Sequence, residues 1–399
     1  MIMQTTIAPV TDENRKQMQT ALPMWKIVLE QFLQHRMAVA GTILILVFMA
    51  IAFSAPLIQM ATGIDPDAQN VAARYLPPMT VTSAGQDVRE SSVEAFIRDN
   101  PEAAGRLQTA LVSKGLVTNP DPAESLFELS SKEAPDALKI LKQIDGTESA
   151  QLQKTFKTFE TYHVFGTDEL GRDVMMRLIY GTRISMSVGI LVAIVSALVG
   201  LLVGAFAGYY GGFLDTLLMR VTDALLSLPL LPVMIVIAAV DVQKFPLLKS
   251  FISTQNESIS KMILILCLFS WMTVARLVRG SILTLREREF ILAAKTLGAS
   301  DITIIMRHMF PNVIAPMLVS ISLGVGESIL FEAALSFLGL GIQPPTPSWG
   351  NMLFNAQELI YQAPFLAILP GLMIFLTVIS FNFLGDGLQD AIDPKAIRR

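Results

Sequence analysis

REREFILAAKTLGASDITIIMRHMFPN, residues 286–312, decides how this chain is read. It is too polar to cross a membrane and too well patterned for a plain loop. Glu287 to Lys295 are strong helix formers around the pair Ala293 and Ala294. Gly298 ends that helix as a C-terminal cap, and Ser300 and Asp301 can cap a second short helix running to Pro311. The alanine pair exposes little side chain, so a second protein can approach closely, and Arg288, Glu289 and Lys295 supply rim charges that fix its orientation. An ordinary cytoplasmic hairpin accounts for the same residues equally well.

The flanks of this stretch are apolar. Of 399 residues 52% are hydrophobic and 16% charged, against about 25% charged in soluble domains. Apolar runs near the roughly 20 residues that span about 30 Å of hydrocarbon recur along the chain. Six spans are expected: 38–58, 184–206, 222–240, 262–278, 313–338 and 365–384. The fold class is therefore all-α and polytopic. Short loops rich in Lys and Arg stay cytoplasmic. Arg15, Lys16, Lys26 and Arg36 precede the first span, Arg220 lies between the second and third, Arg279 to Arg307 hold five bases between the fourth and fifth, and Lys395, Arg398 and Arg399 end the chain. Lys244, Lys249 and Lys261 fall on the other side and weigh slightly against this. The expected topology has both termini cytoplasmic, with a retained anchor and not a cleaved signal. Trp25, Val28, Leu29, Phe32 and Leu33 recur at helical spacing, which predicts an amphipathic helix in the inner interface within the cytoplasmic segment 1–37.

Between the first two spans, residues 59–162 form a polar extracytoplasmic region far longer than an ordinary connection. Within it Val93, Phe96, Ile97, Leu107 and Leu111 keep a helical period, as do Ala137, Leu138, Ile140, Leu141 and Ile144, then Leu152, Phe156 and Phe159. A small helical subdomain over about 79–160 is expected, leaning for stability on the membrane domain or a partner. Residues 163–183 are expected to form an outer amphipathic segment, 184–384 the core with its coupling loop at 279–312, and 385–399 a cytoplasmic tail.

Several chemistries are missing. No G-x-x-x-x-G-K-[ST] cradle occurs, so no ATP site is expected in this chain. His35, His163 and His308 lack metal-ligand spacing. Asp168, Glu169 and Asp173 read as caps and ion pairs before they read as metal ligands. A net charge of −4 disfavours nucleic acid. The residues alone leave a secondary transporter or channel open, for which Glu327 and Glu332, with Arg276, are candidates for the pathway or its gating. Pro229 and Pro232 interrupt the third span, and Pro316 and Pro370 the fifth and sixth, allowing bends. The PPTPSWGNML segment is placed in the outer interface.

A resemblance narrows this. Ala293, Ala294, Gly298 and Pro311 fall on the spacing of the EAA loop of permeases in binding-protein-dependent ABC importers, with Leu292 where the family usually has Glu. Four further runs resemble its dipeptide and oligopeptide branch, C-type subunit: HVFGTDELGRDVMMRLIYGTR (163–183), YYGGFLDTLLMRVTDALLSLP (209–229), EAALSFLGLGIQPPTPSWGNML (332–353) and GDGLQDAIDPK (385–395). DPDAQNVAARYLPP (65–78) is similar too, after which the similarity breaks until His163. The resemblance implies a type I importer permease in a bacterial inner membrane, forming half of a pathway for di- or oligopeptides, or for nickel or another metal chelate. It implies a B-type second permease, two ATP-binding subunits carrying ATP and Mg, an extracytoplasmic substrate-binding protein and membrane lipid as partners, with no cofactor in this chain. Arg288, Glu289, Ala293, Ala294, Lys295, Gly298, Ala299 and Pro311 would then form the ATPase-coupling site.

Overall fold

The computed structural model describes residues 24–83, 86–117, 124–132, 134–144, 149–150, 152–153, 156, 160–240 and 256–392. Phe159, the lysines at 244 and 249 and the basic residues at 15, 16, 395, 398 and 399 lie outside them.

Helix α1 (Met24–Gln34) is followed directly by α2 (Arg36–Thr62). His35 separates the two: it leaves helical geometry, and its Nδ1 accepts from Ala38 N at 3.1 Å as the N-cap of α2. Gly63, with φ at 70°, closes α2 in a left-handed cap. The long helices after the outer region are α7 (Val174–Tyr210), α10 (Glu257–Arg286), α12 (Phe310–Phe337) and α14 (Phe365–Ile392), with α8 (Gly212–Leu226), α9 (Leu230–Ala239), α11 (Glu289–Thr296) and α13 (Trp349–Ala356) between them. Among the described residues five helices are long and apolar enough to cross a membrane, and α8 with α9 supplies a sixth if taken as one bent span.

The third span, expected over 222–240 with a bend allowed at its prolines, is broken into two helices. Its halves meet at 84°, because Pro229 does more than kink a helix. It is the extended N-cap of α9, and Pro232 sits in the first turn, where a missing N–H costs no helical bond. The helix expected to stop at Pro311 does not stop. Ser300 caps a turn at Asp301–Thr303, Ile304–Met309 is π-helical, and the chain runs on through Pro311 into α12. The proline falls at the changeover from π- to α-helical bonding, so its lost donor interrupts no continuous ladder. Residues 174–183, expected in an outer amphipathic segment, are the first turns of α7.

Backbone proximity organises the bundle. On α7, Gly200, Gly204 and Gly208 form a four-residue ladder against α10. A Cβ at Gly200 would lie 2.8 Å from Trp271 O, and one at Gly204 2.4 Å from Ala275 O. Helices in lipid gain no hydrophobic drive from meeting one another, so small residues that let backbones touch hold them together. The same device joins α2 to α14, where a Cβ at Gly41 would lie 2.7 Å from Ser380 O.

The outer region is built from α3 (Gln86–Asp99), α4 (Pro101–Ser113), α5 (Ser125–Ser131) and α6 (Ala134–Leu141). They enclose a core of Val93, Phe96, Leu107, Leu111, Leu126, Leu129, Leu138 and Leu141, joined by Leu152 and Phe156. Among the described residues no membrane-helix residue belongs to that cluster. The purely helical expectation omits one feature, an antiparallel ribbon of β1 (Thr80–Ser83) and β2 (Glu160–His163), in register from Thr80↔His163 to Ser83↔Glu160. The ribbon ties together the two ends of the outer helical unit. Four-residue strands some eighty residues apart leave no local pattern to read.

Candidate functional site: the α11 end and the open face of the bundle

Helix α11 stands where the sequence places a docking helix. Gly298, at φ 81°, turns the chain, while Gly298 N donates to Lys295 O at 3.0 Å and Ala299 N to Ala294 O at 3.1 Å. A residue with a Cβ is strained at that φ, which explains the glycine. The alanine pair divides. Ala293 is exposed, whereas Ala294 turns inward with Ile291 against Ile282, Ile304 and Met309. Only one alanine faces outward; the other seats the helix on the bundle. Arg288, Glu289, Lys295, Gly298 and Pro311 are exposed and Ala299 is half-buried. Sequence reasoning missed the exposed apolar side chains here, Phe290, Leu292, Leu297 and Ile302, of which Leu297 is 87% exposed. Phe290, Ala293 and Leu297 recur at three and four residues, a stripe legible once the inward face is known.

Behind α11 lies a cavity of about 470 Å³ lined by Tyr209, Arg286, Glu287, Leu292, Lys295 and Asp301. Tyr209 Oη donates to Asp301 Oδ1 at 2.6 Å and Arg286 Nη1 to Tyr209 O at 3.3 Å. Arg279 holds Asp215 bidentately at 2.5 and 2.7 Å. The end of α7, the start of α8 and the end of α10 are thereby fixed to the loop that carries α11. The described ends of the chain meet each other too, with His35 Nε2 3.6 Å from Asp390 Oδ2.

Glu327 and Glu332 are kept apart. Glu332 is fully buried. Ser185 Oγ donates to its Oε2 at 3.0 Å and Ser336 Oγ to its Oε1 at 2.9 Å, and Trp349 N donates to Ser185 Oγ at 3.3 Å. This carboxylate pins α7, α12 and α13 together. Trp349 is buried against Phe48 and Gly181, so residues 347–352 of the PPTPSWGNML segment are tucked into the bundle while Pro344 and Pro345 are exposed. A capping box between Ser348 and Asn351 starts its helix. Glu327 is exposed. It stands one turn beyond Leu323, which lines an open cleft of about 530 Å³ with Thr273, Leu277, Pro316, Ser320 and Gln389. Pro229 and Pro232 are exposed at the bend of the third span, and Arg276 lies 3.8 Å from Asp223.

At the other end, the acidic run before α7 is consumed by protein. Asp168 accepts from Arg172 Nε at 2.7 Å and from Arg172 N at 2.9 Å, and Glu169 accepts from Arg172 Nη2 at 2.7 Å and Asn355 Nδ2 at 2.8 Å. Burial, and next the neighbouring Asp168, push the Glu169 carboxyl above its ordinary range. Asp173 Oδ1 accepts from Met176 N at 2.7 Å as the N-cap of α7, and its Oδ2 lies 2.6 Å from His163 Nδ1. The other ring nitrogen of His163 lies 2.8 Å from Thr82 Oγ1. Among the described residues no group of three His, Cys, Asp or Glu could hold a metal.

A multi-helix membrane bundle with a surface helix seated on one end and an open, partly polar face along its side is the framework of a transport permease. The chain belongs to the inner membrane component family of binding-protein-dependent transport systems. That family's model matches residues 200–398, and the N-terminal TM domain of oligopeptide transport permease C matches residues 23–78. The glutathione transport system permease protein GsiD of Shigella flexneri serotype 5b (strain 8401) is 45% identical over 233 residues, covering 58% of this chain and 72% of that protein. GsiD of Escherichia coli O157:H7 is 43% identical over the same coverage. Among solved structures, inward-facing MetNI, a methionine ABC transporter, aligns with 55% of this chain and 98% of its own at a TM-score of 0.43 and 18% identity. Residues 79–199, which lie outside both family models, contain the outer helical unit and most of α7.

Proposed function

We propose that this chain is the C-type permease subunit of an ATP-driven importer of small peptides, with glutathione, the solute named for its relatives, as the reference for size and chemistry. A B-type permease completes the pathway, two ATP-binding subunits dock from the cytoplasm, and an extracytoplasmic binding protein delivers solute. The observation that carries this reading is α11, a short helix held by Ile291 and Ala294 and presenting Phe290, Ala293 and Leu297 outward. An apolar stripe with the charged rim Arg288, Glu289 and Lys295 has the composition of a protein-binding core and rim.

Force applied to α11 passes directly into α12, because the chain runs unbroken from Asp301 to Phe337. It reaches α7 and α10 through Tyr209–Asp301 and Asp215–Arg279. ATP and Mg act on the partner subunits, and this chain converts their closure into a change of access along its open face. Both described ends of the chain share the cytoplasmic end with α11, since α1 and the end of α14 meet at His35 and Asp390, and Gln389 lines the same cleft as Pro316.

A cysteine at Leu297, with the native Cys267 replaced by serine, tests this in the native membrane. Crosslinking should capture a nucleotide-hydrolysing subunit, and Leu297→Asp should lower uptake about tenfold or more by placing a charge in an apolar contact. Uptake and subunit association unchanged in Leu297→Asp would sink the proposal.

A further inference from the structure

We infer that Glu327 is a specificity-determining residue that receives the protonated amino group of a solute during passage; this rests on the open face being the pathway. Glu327 lies in the eighteenth position of the 28-residue α12, exposed, with exposed Leu323 and Leu330 a turn away on either side. A carboxylate aimed at hydrocarbon is costly, so such a face looks onto water, solute or another protein. Among the described residues its side chain has no ion-pair or hydrogen-bond partner within the chain. Glu332, five residues on, is saturated by serines, and Arg276 is matched with Asp223.

The surroundings define what fits. Leu323 connects Glu327 to the open cleft. Asn382 of α14 is exposed at the same level, where a Cβ added to Gly326 would lie 3.7 Å from its Oδ1. An ionised carboxylate offers acceptors alone, and the amide adds both donor and acceptor. With leucines lowering the local dielectric, the ligand group that gains most there is a donor carrying positive charge. A primary ammonium, such as a peptide N-terminus, meets that description, whereas an acylated amine does not.

The test uses the complete transporter in nanodiscs. A hydrophobic carbodiimide labels exposed membrane carboxyls, and labelling of Glu327 is read by peptide mass mapping in the presence of millimolar trialanine or N-acetyltrialanine, without binding protein. Trialanine should protect Glu327 and its acetylated form should not. Equal protection, protection by the acetylated form alone, or none overturns the inference. In proteoliposomes Glu327→Gln should lower trialanine uptake about tenfold, the worth of a charge-assisted hydrogen bond, and Glu327→Asp should recover part of it. Co-purification of all subunits and binding-protein-stimulated ATP hydrolysis should stay within about twofold of wild type. If Glu327→Gln instead dissociates the two permeases, the carboxylate pairs with the neighbouring subunit and the inference falls. Failure of the wild-type chain to co-purify with ATPases would instead strike the proposed function itself.

Discussion

The outer helical unit and the membrane bundle are two helical assemblies in one chain, held together in opposite ways. The outer unit buries Phe96, Leu107, Leu111, Leu126, Leu129 and Phe156 in a core of large side chains, so its stability comes from removing apolar surface from water. The bundle leaves Phe53, Leu57, Leu202 and Phe375 exposed on its outside and brings backbones together at glycines. Its residues gain nothing by leaving lipid for each other, and contact distance replaces burial as the organising quantity. The outer unit should therefore suffer most from lost volume, and the bundle from added volume.

The largest effect is expected where volume is added to the ladder. Gly204→Leu places a side chain where even a Cβ would lie 2.4 Å from Ala275 O. Backbone cannot yield as a flexible side chain does, so the cost is about 3 kcal/mol or more. The variant should lose its monodisperse peak in detergent and its association with other subunits. Retention of both would mean that α7 and α10 separate freely. The reverse experiment, Leu107→Ala in the outer core, should cost about 2–5 kcal/mol. Because among the described residues that core shares none with the bundle, limited proteolysis should cut between residues 84 and 159 while the membrane fragment stays intact. Simultaneous loss of both regions would break the comparison.

Much of this division is legible in the residues. The apolar runs mark the long spans because hydrocarbon thickness sets their length, and the 3.6-residue period of Val93, Phe96 and Leu107 marks the outer core. Gly200, Gly204 and Gly208 also stand in the sequence at the spacing of a helix contact, though the helix they touch is not written there. What is not legible depends on partners distant along the chain. The ribbon pairs Thr80 with His163, the π-helical turns at Ile304–Met309 are a matter of backbone bonding, and Ala293 differs from Ala294 only in which way α11 is seated. Glu327 and Glu332 look alike as letters. Two serines, one of them distant in sequence, make one a structural pin and leave the other uncovered.

Two junctions sharpen the comparison with smaller effects. Glu332→Ala should cost about 1–3 kcal/mol by leaving Ser185 and Ser336 without their acceptor. It should also loosen α13, read as a shift in the emission of Trp349 in a chain whose other tryptophans, Trp25 and Trp271, are replaced. An unchanged spectrum would show that packing against Gly181 and Phe48 holds α13 unaided. His163→Ala removes the ring that lies between Thr82 of the ribbon and Asp173 at the start of α7. The expected cost is about 1 kcal/mol, with faster amide exchange at Thr80–Ser83 and little change in the core of the outer unit. If exchange rises equally at Leu107 and Leu111, the ribbon and that core unfold as one.

The smallest effect concerns pH at the end of the bundle away from α11. Glu169 is bonded to Arg172 and Asn355, yet burial and Asp168 hold its carboxyl above the ordinary range. A carboxyl whose pKa is higher folded than unfolded binds its proton more tightly in the folded chain. Its contribution to stability is complete below the ordinary carboxylate range and is lost as pH rises through the raised value. Glu169→Gln keeps an acceptor for Arg172 and does not titrate. The melting temperature of the variant minus that of the wild type should therefore increase with pH between about pH 4 and pH 7, by about 1 °C for a chain of this size. A difference that is flat or falls with pH would mean that the pairing with Arg172 outweighs burial, making this junction an ordinary stabilising ion pair.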